Sequence, residues 1–382
     1  MRQLDLPARF AAAIEAVPAD WRAGPIGLAV SGGSDSLALL HLAHHWAASS
    51  GAPLVVFTVD HRLRPEAADE AEQVAALCAR LGLAHQTRVW REPVPRQSAA
   101  RRARHALLAS ALTSAGGQLL LTGHTATDQA ETFLMRARQG SGWYGLAGIQ
   151  PVSLSPVWPE GAGIRIARPL QGETREDLRD WLAGQGEGWI DDPSNTNPAF
   201  ERVRMRAQLS RPGLTARVLA CQRGFAYLRA IEDALLANWL GRAVSVLDDG
   251  AVQAGLAGLT PERAARGLGL LLQSVAGRDT APRSDSLQDL AARCLSSDGF
   301  RGATLGGVRM RPRGSGFHLS AEPGIDQNPP GPEAIAARIT AFRLLFINSA
   351  QESAPDGGKE SFLQGLTPIF RVNPVSVMRD LP

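Results

Sequence analysis

Lysine is almost missing from this chain: of 40 lysines and arginines among 382 residues, Lys359 is the single lysine. A Walker-type phosphate loop needs lysine after its last glycine, so none can stand in the first two-thirds of the chain. Cysteine is scarce as well. Cys78, Cys221 and Cys294 stand far apart, with no pair at metal-ligand or redox-motif spacing. That pattern argues against a zinc ribbon or a cysteine-held iron–sulfur cluster and leaves buried, reduced thiols. No apolar run reaches the ~18 residues that span a bilayer; the longest, 25–30 and 54–59, have strand length. The first seven residues hold neither a long apolar core nor a small-residue cleavage site. A secretory leader is therefore not expected, and a cytoplasmic location is.

What is present describes a globular, multidomain chain. With 44% apolar and 20% charged residues it has the composition of folded protein, and 382 residues exceed what one core usually organises. The near-exclusive use of arginine suits phosphate and RNA, because a planar guanidinium donates to two oxygens at once. A codon bias of the source genome explains the same imbalance, and a net charge of +3 decides nothing between them.

Residues 26–122 alternate in period. Apolar runs at 26–30, 54–59, 83–89 and 119–122 read as strands, and 36–48, 65–81 and 99–115 have helical spacing. Strand and helix in alternation imply a parallel sheet covered on both faces, with ligands beyond the carboxyl ends of its strands. Gly, Ser and Pro crowd 140–163, which reads as loops, and a helix is expected over 173–183. Residues 215–243 and 261–276 are Ala/Leu-rich and helical, 303–309 and 316–320 alternate as short strands, and 323–332 reads as a linker.

The sharpest chemical signal follows the first strand: Ser31-Gly32-Gly33-Ser34-Asp35-Ser36. The glycines permit the dihedrals of an immediate turn and let main-chain N–H groups approach an anion closely. Ser31, Ser34 and Ser36 add hydroxyls, and the following helix presents its positive end. Asp35 would repel phosphate unless a divalent cation such as Mg²⁺ bridges the two. The alternative is a Gly/Ser turn with Asp35 as a helix cap.

Three further segments surround this loop. Asp60-His61 ends the second strand, either as a satisfied turn pair or as a hold on adenosine or a metal. Arg101 and Arg104 share a helix face, which suits phosphate or serves as a solvated basic face. Gly123 and His124 end the fourth strand, and Asp128 and Glu131 lie three apart in the helix that follows. Those two carboxylates either complement the helix dipole, with Thr125 as N-cap, or form an anionic pocket for a substrate amine.

Ser31–Ser36 after a buried strand resembles the loop of the N-type ATP pyrophosphatases, which lack a loop lysine. A narrower resemblance, to the tRNA(Ile)-lysidine synthetases, runs through most of 25–210. It is carried by the loop, by Val59-Asp60-His61-Arg62-Leu63-Arg64, by 100–105 and by 122–132. It continues through Gly140-Ser141-Gly142, 145–148, Arg168-Pro169-Leu170, and Trp189-Ile190-Asp191-Asp192-Pro193-Ser194-Asn195. Ala303-Thr304-Leu305-Gly306-Gly307 looks like the family's C-terminal region. One departure stands out: where the family has Arg-Asn before Ile-Arg, this chain reads Arg202-Val203-Arg204-Met205-Arg206.

The resemblance implies a Rossmann-like N-type ATP pyrophosphatase domain at 1–212, a helical tRNA-binding domain at 213–296, and a small β-containing module at 297–382. It implies attachment of free L-lysine to C2 of the wobble cytidine of a tRNA(Ile) with a CAU anticodon, through an adenylated cytidine. The products would be lysidine, AMP and pyrophosphate, and the codon read would change from AUG to AUA. ATP and Mg²⁺ are the implied cofactors. Residues 31–36 would hold pyrophosphate, Asp35 the metal, and Asp60, Arg104, Gly123 and His124 the nucleotide. Asp128 and Glu131 would receive lysine, and Arg202, Arg204 and Arg206 the tRNA, while assembly as a homodimer is left open. Rival readings are another adenylating enzyme on the same scaffold, such as a tRNA thiolase, and a non-catalytic nucleotide- or RNA-binding adaptor.

Overall fold

A computed structural model describes residues 5–62, 66–94, 96–191, 199, 201–296, 299–324 and 329–352. Parts of two quoted motifs, Leu63-Arg64 and Asp192-Pro193-Ser194-Asn195, lie outside the described residues, as does Lys359. The chain begins α1 (Leu6–Glu15), β1 (Ile26–Ala29), α2 (Ser34–Ser50), β2 (Leu54–Asp60), α3 (Ala67–Arg80), β3 (Ala84–Val89), α4 (Gln97–Ser114) and β4 (Leu119–Thr122). It goes on through α5 (Ala126–Arg138), α6 (Trp143–Leu146), β5 (Val152–Leu154), β6 (Arg165–Ala167) and α7 (Arg175–Gly184).

The strands form one six-stranded sheet in the order β3-β2-β1-β4-β6-β5. All neighbours are parallel except β5 and β6. Strands covered on both faces should be apolar throughout, and β4 is buried at every position. The order reverses at the middle of the sheet: the chain leaves β1 toward β2 on one side, and β4 returns on the other. Such a reversal splays the connections apart and leaves a crevice at the strands' carboxyl ends. The registers Ala29↔Phe57 and Ala29↔Thr122 put the loop after β1 between Asp60 and Gly123.

The stretch expected as loops, 140–163, also contains α6 and β5. β5 pairs antiparallel with β6, and a three-residue strand is too short to show a period of two.

The second half comprises α8 (Glu201–Leu209), α9 (Leu214–Ala243), β7 (Val244–Val246), β8 (Val252–Ala254), α10 (Pro261–Val275), α11 (Ser284–Leu295), β9 (Ala303–Leu305), β10 (Val308–Arg313), β11 (Gly316–Ala321) and α12 (Pro332–Glu352). The 30-residue α9 joins the halves. Near its start Val218 packs with Leu134 of α5 and Met205 of α8; near its end Leu236, Trp239 and Leu240 enter a second core. A helix that buries different faces along its length shows no single apolar stripe. β7 and β8 complete an antiparallel sheet with β11, β10 and β9, in the order β7-β8-β11-β10-β9. The segments on either side of residue 297 therefore share one sheet and one core, in which Leu268, Leu290, Met310, Leu319 and Ile335 meet.

Candidate active site

The loop after β1 turns by glycine. Gly32 has φ +88°, which side chains rarely adopt, and a Cβ there would lie 2.6 Å from Ile190 Cδ1. Gly33 then caps α2. Ser36 Oγ donates to Gly33 O at 2.9 Å and accepts from Ser31 N at 3.1 Å, so the hydroxyl staples the loop across its own mouth. Ile190 N donates to Gly32 O at 3.0 Å, closing it from outside. The N–H groups of Gly32 and Gly33 have no acceptor among the described residues. Donors of this kind at a helix N-terminus are an anion site.

Gly123, at the end of β4, makes this arrangement possible. A Cβ there would stand 2.8 Å from Asp35 O and 3.2 Å from Ser36 N. Only glycine lets β4 pass so close to the first turn of α2.

The acids read from the sequence as a metal ligand and an amine pocket converge. Asp128 stands third in α5 and divides its oxygens: Oδ2 accepts from Thr125 N and Thr125 Oγ1, both at 2.9 Å, in a capping box. The capping reading of this acid is thus seen in Oδ2, while Oδ1 meets Arg175 at 3.5 Å. Glu131, one turn on, is fully buried, with Oε1 accepting from Arg206 Nε at 2.8 Å. Its Oε2 is enclosed without a hydrogen-bond partner among the described residues.

Arg175, which the sequence reading passed over, ties the site together. Its Nε donates to Asp35 Oδ2 at 2.9 Å, its Nη2 meets Asp128, and its Nη1 lies 3.9 Å from Glu131 Oε1. Arg175 opens α7, whose N-cap Thr174 forms a capping box with Asp177. A signal did exist: a cation in a first turn opposes the helix dipole and needs an acid from elsewhere to hold it. The acids come from two other helices, and no local pattern names them.

Charge follows geometry. Burial, with the Asp128 charge beside it, raises the Asp35 carboxyl above its ordinary value despite the pull of Arg175. At Asp128 burial also pushes up, but Arg175 and the hydrogen bonds from Thr125 hold the group below the usual carboxylate range. The wall formed by α4 and the end of β4 is basic. Burial, with Arg101 and Arg202 nearby, lowers Arg104 to about 10. Burial and the surrounding arginines carry His105 down to about 3 and His124 to about 4, so both rings are neutral. His124 Nδ1 lies 3.0 Å from Thr122 Oγ1, while neither nitrogen of His105 has a partner among the described residues. Asp60 ends β2 beside this wall, where its Oδ1 accepts from Arg62 N at 2.8 Å.

Arg202 and Arg204 lie on α8 with Arg206. Arg206, expected to face tRNA, reaches inward to Glu131, while Arg204 Nη1 donates to Ala199 O at 2.8 Å. Met205, where the family resemblance places Ile, is buried against Leu134 and Val218.

The arrangement is thus an anion-binding loop at a switch point, flanked by a basic wall and an acidic pocket. Comparisons with known proteins agree with it. A PP-loop domain model matches residues 7–212, which marks this half as an ATP-binding domain. The tRNA(Ile)-lysidine synthase of Hyphomonas neptunium is 53% identical over 365 residues, covering 95% of this chain and 98% of that protein. That of Methylobacterium nodulans is 40% identical over 320 residues, covering 79% and 91%. That of Rhizobium meliloti is 38% identical over 316 residues, covering 77% and 67%. With an anion loop at the switch point and identity of this extent, the chain belongs to the tRNA(Ile)-lysidine synthase family of PP-loop enzymes.

Proposed function

We infer that the protein ligates free L-lysine to C2 of the wobble cytidine of a tRNA(Ile) bearing a CAU anticodon, at the expense of ATP. The carrying observation is that Asp35 at the loop and Asp128 and Glu131 of α5 meet around one guanidinium. A phosphate site and a cation site thus share a wall, as a reaction between an activated nucleotide and an amine requires.

C2 of cytosine is a poor electrophile, and adenylation turns its oxygen into a good leaving group. In the first stage the C2 oxygen attacks the α-phosphate and pyrophosphate leaves. The free N–H groups of Gly32 and Gly33, with the hydroxyls of Ser31, Ser34 and Ser36, hold the departing phosphates. Asp60, Gly123 and His124 border the nucleotide, and Arg104 neutralises charge on it. In the second stage the lysine ε-amine attacks C2 and AMP leaves. Asp128 and Glu131 orient that amine, and Glu131 Oε2, which has no hydrogen-bond partner among the described residues, is the better-placed acceptor for its proton. Arg202 and Arg204 of α8 would contact the RNA backbone, whereas Arg206 is engaged by Glu131, and the target base would be splayed from its loop.

Mg²⁺ fits one donor here. Asp35 supplies a carboxylate beside the loop, and no group of three His, Cys, Asp or Glu side chains among the described residues could hold a metal alone. Phosphate oxygens and water would supply its remaining ligands. Its chemistry is neutralisation of phosphate charge. The domain assignment fits the same reading, with 1–212 for adenylation and the α9-linked second half for tRNA.

The thiolase alternative asks for paired reactive cysteines, whereas Cys78 is buried and pushed up to about 11. The adaptor alternative has no use for an acid pair inside the pocket. The test is purified protein with ATP, Mg²⁺, radiolabelled lysine, and transcripts of isoleucine and methionine tRNAs with CAU anticodons. Labelling of the isoleucine transcript alone is expected. No label on it sinks the ligase reading, and equal labelling of both removes the specificity.

A further inference from the structure

We propose that Arg175 is a resident cation that occupies the amine pocket until nucleotide binds at the loop, making lysine binding conditional on nucleotide. The proposal rests on the reading above that Asp128 and Glu131 receive the amine.

Charge counting shows the conflict. Asp35, Asp128 and Glu131 bring three carboxylates, and Arg175 and Arg206 bring two guanidiniums that engage them. The three nitrogens of Arg175 are divided among the three acids, at 2.9, 3.5 and 3.9 Å. An ammonium arriving at Asp128 Oδ1 and Glu131 Oε1 would meet the guanidinium at those same oxygens. Glu131 Oε1 already faces both Arg206 and Arg175, so a third cation there would be repelled by both guanidiniums at close range. Glu131 Oε2, buried and without a partner among the described residues, shows that the two arginines leave part of the pocket's acceptor capacity unused.

The backbone of Arg175 is fixed. Arg175 N donates to Thr127 Oγ1 at 3.3 Å, Ala126 N donates to Glu173 O at 2.8 Å, and Arg9 pairs with Glu173. Clearing the pocket therefore falls to the side chain. It has room to move, being 20% exposed. It also has somewhere to go. Its shortest contact is with Asp35, in the first turn of α2 beside the free N–H groups of the loop. Phosphates seated there would offer the guanidinium oxygens in the paired geometry it prefers. They would also draw Asp35 into the charge balance of the nucleotide. The turn from acid pair to phosphate releases Asp128 and Glu131 together. Arg175 is thus a positioning residue that couples two substrates. By linkage, lysine strengthens nucleotide binding by the same factor.

Calorimetry of free lysine binding tests this, with and without Mg²⁺ and a non-hydrolysable ATP analogue. In wild-type protein the analogue is expected to tighten lysine binding by roughly 5–150-fold, the usual range of such couplings. In Arg175→Ala lysine should bind without nucleotide at least as tightly as it binds the loaded wild type, and the coupling factor should fall to about 1. Arg175→Gln, which keeps a polar side chain, should behave alike and serves where the alanine variant folds poorly. A merely structural role can only weaken lysine binding, so a gain in its affinity separates the two. Coupling of wild-type size in both variants overturns the proposal, as does loss of lysine binding in both. Absence of coupling in the wild type overturns it too, while leaving the amine pocket standing. A wild-type protein that binds no lysine in either state removes the pocket reading, and the proposal with it.

Discussion

Gly123→Ala is the smallest change that should injure the site without removing any functional group. An added Cβ would stand 2.8 Å from Asp35 O, 3.0 Å from Asp35 C and 3.2 Å from Ser36 N. All three are backbone atoms in the first turn of α2, so no rotamer change relieves them. Restoring ordinary contact requires the end of β4 and the start of α2 to separate by several tenths of an ångström. Overpacking of this kind costs about 1–3 kcal/mol. For a domain of some 200 residues each kcal/mol lowers the melting temperature by roughly 2–4 °C. The displacement falls on the loop that presents Gly32 and Gly33, so KM for ATP should rise by about tenfold. The matched control is Gly172→Ala, where no atom lies within 4 Å of the added carbon. Thermal unfolding followed by calorimetry, with ATP-dependent release of pyrophosphate, reads both effects. A Gly123→Ala protein with wild-type melting and wild-type KM refutes the close approach and the loop geometry inferred from it.

Asp35→Ala should abolish pyrophosphate release while leaving circular dichroism unchanged, since among the described residues the carboxylate hydrogen-bonds only Ser34 and Arg175; retained turnover would remove Asp35 from the chemistry. The acid limb of stability should carry His105, whose folded-state value of about 3 lies below the unfolded 6.5. Between those values the unfolded chain binds more protons, so stability falls as pH drops. From pH 7.5 to 5 this one group costs about 2 kcal/mol. Urea titrations of His105→Gln should show a shallower decline; an unchanged one would mean that the ring is protonated in the fold.

The sheet was legible because it obeys local rules. Four apolar runs of strand length, each followed by a helical period, dictate parallel strands with their loops at one end. The loop glycines announced the first crevice wall, and Asp60, Gly123 and His124 follow strand ends in the same manner. What escaped was whatever depends on contacts distant in sequence. Arg175 lies 140 residues from Asp35 and 47 from Asp128. Arg206 was legible as a basic residue on a helix, but its inward direction is set by Met205 and Leu209, which bury the opposite neighbours in the core beneath α5. The sharing of one sheet by β7–β8 and β9–β11 escaped for the same reason. Three-residue strands carry almost no periodic signal, and their pairing is decided by the core they close.

The scarcity of lysine acquires a meaning at this site that composition alone could not give it. A pocket built to attract an amine must have its carboxylates neutralised when empty, and here two arginines do so. A lysine in either place would bring a primary amine to within reach of an adenylated C2. A guanidinium stays protonated at every working pH and cannot become that nucleophile. Arg206→Lys tests the distinction, because Nε of Arg206 lies 2.8 Å from Glu131 Oε1. In the presence of ATP and tRNA(Ile), but without free lysine, the new amine should attack C2 and release AMP. That leaves the protein joined to the tRNA through a C2–N bond, visible as a slow band on a denaturing gel. The band should vanish when free lysine competes and should require Asp35. Its absence, in a variant that still releases pyrophosphate, would mean that Arg206 does not border the path of the attacking amine.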